Sequence, residues 1–263
     1  MTWAAIALAM LGRWDDALRE AREALRAAEA VRDDSLVSFA AWTAAWACAD
    51  HGDSVQALQY ADLAVEKAPT PADRFWAEGT RAYCWCQAGD PLRATPILEQ
   101  WESVVRSLRF VPGYGGHGDG LARAYLSAGR VADALKVARQ LLADGEQYGR
   151  PILVGIGHFF LGEIGRQTAQ SDEGLRQAVH HYEASIEAFR KIGAQNKLAL
   201  AYAGYGRLHA RLKNVAAARD HLTRALEIFE RLGTMIEPDR VRQELMELPR
   251  TQEARQVGRD ATR

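Results

Sequence analysis

The chain is poor in cysteine, in net charge and in long apolar runs, and each shortage closes off a class of function. Cys48, Cys84 and Cys86 are its three cysteines in 263 residues. That odd number is too few for a disulfide framework, and reduced thiols in a cytoplasmic protein are the expectation. Cys84 and Cys86 would project about 200° apart on a helix and so could not share a metal. A net charge of −1 supplies no field to draw in nucleic acid or an anionic membrane. No apolar stretch reaches membrane-spanning length, and Met1 to Leu11, although apolar, lacks the basic start of a secretory signal. The patterns GxxxxGK[ST], HExxH, GxSxG and CxxC are all missing. Neither catalytic nor metal-binding residues are expected, and no cofactor. His180 and His181 would leave one helix in different directions, and His209 and His221 fall in separate helices, so packing rather than ligation is expected of them.

What is present is repetition. A small residue recurs seven places before a second position in the pairs Ala17/Ala24, Ala57/Ala64, Ala94/Trp101, Ala134/Leu141, Ala178/Ser185 and Ala218/Ala225. The first members are spaced 40, 37, 40, 44 and 40 residues apart. Seven residues are two helical turns, so each pair marks one narrow face open to a neighbouring helix. Five residues before the pair stands Gly12, Gly52, Gly89 or Gly129, and twelve before it Ala5, Ala45, Ala82, Ala122 or, in the last unit, Gly206. Each unit therefore reads as helix A, a glycine-ended turn and helix B. Leu, Ala, Arg and Glu dominate over β-branched runs, which favours helix throughout. The fifth unit departs, with Arg166 and Glu173 where Ala and Gly are expected. About four extra residues in the Gln167–Gly174 turn would account for its longer spacing.

Periods of 20–50 residues signal stacked repeats. Leu11-Gly12-Arg13-Trp14-Asp15-Asp16-Ala17, and Ala82-Tyr83 through Gly89-Asp90-Pro91, resemble tetratricopeptide repeats. The long units and the endings Phe189-Arg190-Lys191-Ile192-Gly193 and Phe229-Glu230-Arg231-Leu232-Gly233 are similar to a narrower group. These are the C-terminal repeat arrays of bacterial signalling ATPases, including those fused to adenylate/guanylate cyclase or helix-turn-helix regulator domains. The stretch Ser35 to Asp53, with Trp42 and Trp46, shares that likeness. The resemblance implies an all-α, right-handed α-solenoid of about six helix pairs. Its units run approximately 1–34, 35–70, 71–110, 111–150, 151–194 and 195–233, with a capping helix over 237–248 and a polar tail, 249–263, expected to be disordered.

The first unit begins about two residues before Met1 and carries no polar capping character in Trp3, Ile6, Leu8, Met10 and Leu11. A solenoid end normally does, so the expectation is a fragment of a longer parent, against a divergent start that dimerises or tolerates exposure. The segment Pro112 to Gly120 holds five glycines in its last eight positions, 113 to 120, each disfavouring helix by roughly 1 kcal/mol relative to Ala. Close backbone packing or a frayed helix start ranks first for it, then a hinge, then a ligand loop.

A helices line the concave face of such arrays, and that face usually takes the partner. Phe39, Trp42 and Trp46 share one helical face, and Trp76 and Tyr83 share that of the next unit. Arg123, Phe159, Glu163, Arg207 and Arg211 follow along the groove. An aromatic stretch beside a basic one suits a peptide or protein with apolar anchors and acidic residues, possible occupants including the parent's own catalytic module. Some of these rings would instead fill gaps between helices, as Trp85 and Tyr125 are expected to. The alternative to a partner-binding regulatory module is a small-molecule sensor with its ligand near Trp42, Trp46 and Tyr83.

Overall fold

The computed structural model describes residues 2–109 and 116–249. Among them are thirteen α-helices and no strand. They are α1 (Thr2–Met10), α2 (Trp14–Val31), α3 (Asp34–His51), α4 (Ser54–Glu66), α5 (Pro71–Gln87), α6 (Pro91–Ser107), α7 (Gly116–Ser127), α8 (Val131–Gln147), α9 (Pro151–Thr168), α10 (Asp172–Ile192), α11 (Gln195–Arg211), α12 (Val215–Leu232) and α13 (Glu237–Glu247). The protein is all-α. Each helix packs on the next along the chain, and the odd-numbered helices α1 to α11 also stack on one another in order. Layered helix hairpins result, with the odd helices forming one inner layer.

Local chemistry sets the helix ends. Gly12, Gly52, Gly89 and Gly129 all have positive φ, the left-handed conformation that terminates a helix most cheaply without a Cβ. Asp53 and Asp90 then cap the following helices, their carboxylates accepting from the main-chain N–H of Gln56 and Arg93 at 3.0 and 3.3 Å. In the last unit Lys213 takes the same left-handed turn, with φ 58°, although it has a Cβ.

Both members of every seven-spaced pair are buried. Where the even-numbered helix carries a large residue at this face, the odd helix answers with glycine. A Cβ on Gly155 would stand 2.5 Å from the Phe189 ring, one on Gly162 3.1 Å from Tyr182, and one on Gly206 2.7 Å from Leu222. The inner layer approaches closely because one side of each contact has no side chain.

One expectation changes. The fifth unit does not carry its extra residues in a longer turn: only residues 169–171 separate α9 from α10. The additions extend α10 at its N-terminus, so Ala178 lies a turn deeper into its helix than Ala134 does in α8. Ser171 caps this start, accepting from Gly174 N at 3.2 Å. In the glycine-rich segment, Gly116 to Gly120 are buried first residues of α7. Side chains on Gly118 or Gly120 would crowd Leu141, or Tyr83 and Leu98, so close packing outweighs their poor propensity. Residues 112–115 of that segment, and 250–263 of the polar tail, lie outside the described residues.

Candidate functional site

The two ends of the helical stack meet. Met235 N donates to His51 O at 2.9 Å, and Nε2 of His51 lies 2.9 Å from Gly233 O. Asn196 Nδ2 donates to Asp50 O at 3.0 Å and its Oδ1 accepts from Thr234 at 3.3 Å. A Cβ on Gly12 would strike Leu232, and Gly193 borders Leu11. The C-termini of α1 and α3 thus adjoin α11, α12 and the start of α13. This seam joins residues up to 220 positions apart, Gly12 and Leu232.

Beneath the seam lies a buried charge network. Lys197 donates to Asp119 and sits 3.8 Å from Asp50. Arg123 donates to the other Asp119 oxygen at 3.2 Å. Tyr83 donates its hydroxyl proton to Asp50 and accepts from Gln87 Nε2 at 2.6 Å. Burial opposes the charges of Asp119, Lys197 and Arg123, but their partners outweigh it. Asp119 is held below the usual carboxylate range by Lys197 and Arg123, and Lys197 above its ordinary value by Asp119 and Asp50. Burial, and then Asp50, push the Tyr83 phenol well up, so it stays a hydrogen-bond donor.

The network forms one wall of a cavity of about 410 Å³. Its polar lining includes Asp50, Gln87, Arg123, Ser127, Asn196 and Glu237. A second cavity of about 210 Å³ shares Arg123, Ser127, Leu200, Glu237 and Arg240 with it and adds an apolar wall of Leu126, Phe159 and Phe160. The larger volume falls within the roughly 300–1,000 Å³ of small-molecule sites. Helix α13 closes one side, where Arg207 donates to Glu244 at 2.9 Å and Arg240 to Glu237 at 2.7 Å.

The ten residues expected on the groove divide among three situations. Trp42 and Trp46 are buried in the packing of α3, with the half-buried Phe39 ring 4.9 Å from Trp42. Trp76 packs at 5.6 Å against Trp101, beside the His117 ring. Four residues belong to the chamber or its wall: Tyr83 and Arg123 in the network, Phe159 in the apolar wall, and Glu163. The last is buried, and although burial raises a carboxylate, Arg166 and Tyr182 hold it below its usual range. Finally, Arg207 engages α13, and the exposed Arg211 donates to the carbonyls of Arg166 and Ala169. Arg211 thereby serves the end of α9 in the unit that lacks the turn glycine.

Sequence reasoning missed Asp50, Asp119, Lys197 and Asn196. A polar residue inside an otherwise apolar or glycine-rich helical face was the available signal at Asp50 and Asp119, but no local pattern links them to Lys197. The histidines pack, as expected of them: the His209 and His221 rings stack at 5.3 Å, and His158 of α9 brings Nδ1 within 3.0 Å of His181 Nδ1. Burial, with His158 and His180 nearby, pushes His181 down to about 4. No group of three or more His, Cys, Asp or Glu among the described residues is disposed to hold a metal ion. No described helix is long and apolar enough to cross a membrane. The three thiols are free and buried, and burial pushes Cys48 and Cys86 up to about 12, which leaves them unreactive.

No protein-family model matches the chain, and no curated protein matches it.

Proposed function

We propose that the chain is a right-handed tetratricopeptide-like array of six helix pairs with α13 as its cap, and that it is a non-catalytic regulatory module receiving a small ligand in its central chamber. The observation that carries this reading is the seam, which folds the inner layer around a chamber lined by charged and amide groups. A ligand that prefers the closed seam to an open one shifts the population toward it by that difference in affinity. On the sequence resemblance, the parent is a cytoplasmic bacterial signalling protein, and the output is control of an attached nucleotide-binding or cyclase module.

The test uses dye pairs on cysteines introduced at the exposed positions Val55 and Met246, since the native thiols are buried. A panel of metabolites is screened for a rise in melting temperature. Stabilising compounds should also change energy transfer between the dyes. A panel that moves neither quantity refutes the sensor reading.

A protein or peptide partner is the second reading, favoured by one observation. Trp3 is 65% exposed and meets the half-buried Phe39 edge-on at 5.8 Å, which leaves an aromatic ledge at the N-terminal end. Trp3→Ala should abolish capture of such a partner without lowering the melting temperature.

A further inference from the structure

The chamber lining is charged but balanced, and that restricts what can enter it. Lys197 and Arg123 face Asp50 and Asp119. Arg207 and Arg240 face Glu237 and Glu244, and Arg166 faces Glu163. A ligand carrying a single unbalanced charge would be desolvated here without a free counter-charge, which is costly. A ligand with both charges would meet both kinds of wall.

Two groups are placed to receive it. Asp50 lines the larger cavity and uses Oδ1 for Tyr83, which leaves Oδ2 as an acceptor. Arg123 lines both cavities and commits one Nη2 hydrogen bond to Asp119, so its fork retains further donors. Its side chain keeps 29% exposure, and its Nε is buried without a hydrogen-bond partner. Phe159, Phe160, Leu126 and Leu200 line the smaller cavity beside Arg123.

We propose that the chamber binds a free amino acid with an apolar side chain, its ammonium group on Asp50, its carboxylate on Arg123 and its side chain against Phe159, Phe160 and Leu200. This rests on the reading that the chamber receives a ligand, and sharpens it to a chemical class. The guanidinium fork suits a carboxylate, Asp50 suits a primary ammonium group, and the aromatic wall excludes water from the side chain. Ser127 is exposed at the rim of both cavities and marks the way in.

The experiment is calorimetric titration of the full chain with L-phenylalanine and L-leucine. Phenylalanine amide lacks the carboxylate, N-acetyl-phenylalanine lacks the ammonium, and succinate and maltose represent other ligand classes. The zwitterions should bind, and blocking either charged end should weaken binding by about tenfold or more. Asp50→Asn and Arg123→Lys should each cause a similar loss. Ser127→Trp, away from the buried network, should abolish binding with the melting temperature unchanged. Binding of an amino acid that survives Ser127→Trp overturns the chamber site. Binding of succinate or maltose alone, abolished by Ser127→Trp, overturns the amino-acid assignment but leaves the ligand-receiving reading standing. No binding by any probe overturns both.

Discussion

The helical layers and the seam are built from opposite materials. Between α9 and α10 a fully buried phenyl ring meets a bare glycine backbone, and the contact is dispersion and exclusion of water. Where α11 meets α3 and α7 the contact is an asparagine amide on a helix-end carbonyl and a lysine beside two carboxylates. Such polar contacts orient strongly and contribute little net stability. The layers therefore hold the molecule together, and the seam decides its shape. That division suits a body that stays folded while its ends part.

The largest effect should come from the layers. Phe189→Ala empties the volume over Gly155 and should cost about 3–5 kcal/mol, read as a lower midpoint in urea unfolding. Loss of helical signal should accompany it.

Lys197→Met attacks the seam instead. It leaves Asp50 and Asp119 without their shared cation, at a cost of about 3 kcal/mol. Its signature should differ: a larger radius in solution scattering with helix content retained. If the radius stays unchanged and the whole chain unfolds, the seam is not a separable unit.

Acid and alkali should separate the two regions without mutation. His117 stacks on Trp101 within the layers at 3.9 Å, and burial pushes it down to about 3. Its unfolded form takes up a proton near pH 6.5, so the stability it supports is present above that pH and falls as pH drops toward 3. The loss should reach about 2 kcal/mol by pH 5, and His117→Phe should flatten it. Asp119 has a lowered value, so its contribution persists above the ordinary carboxylate range near pH 4 and is lost only below it. Lys197 has a raised value. Its contribution is full below its ordinary value near 10.4 and is lost as pH rises through the raised one. Acid should thus weaken the layers first and alkali the seam, checked by urea melts and scattering across the pH range.

The smallest effect lies in a turn shared by neither region. Lys213→Gly removes a Cβ from a left-handed residue and should stabilise the chain by roughly 1 kcal/mol, measured as a higher melting temperature.

Much of the layering was legible in the residues. Ala57/Ala64 and Ala218/Ala225 announced buried faces, and Gly52-Asp53 announced a stop and a start, because each is a rule acting within a few residues. Of the site, Tyr83, Arg123, Phe159 and Glu163 were named from their register on odd helices. Their surroundings were not. Trp42 was placed on a groove by the same register, yet it is buried, since helical spacing specifies a direction without saying how near the next helix comes. Asp50, Asp119, Lys197 and Asn196 went unnamed because they matter only in one another's company.

By itself, the sequence determined the helices, their ends and the small-residue faces on which they stack, all consequences of short-range sterics and periodic burial. Only the tertiary structure decided that the stack turns far enough for α3 to meet α11 and the start of α13, and so that a chamber exists. Small rotations at each helix contact add up along the whole stack, and no single repeat encodes their sum.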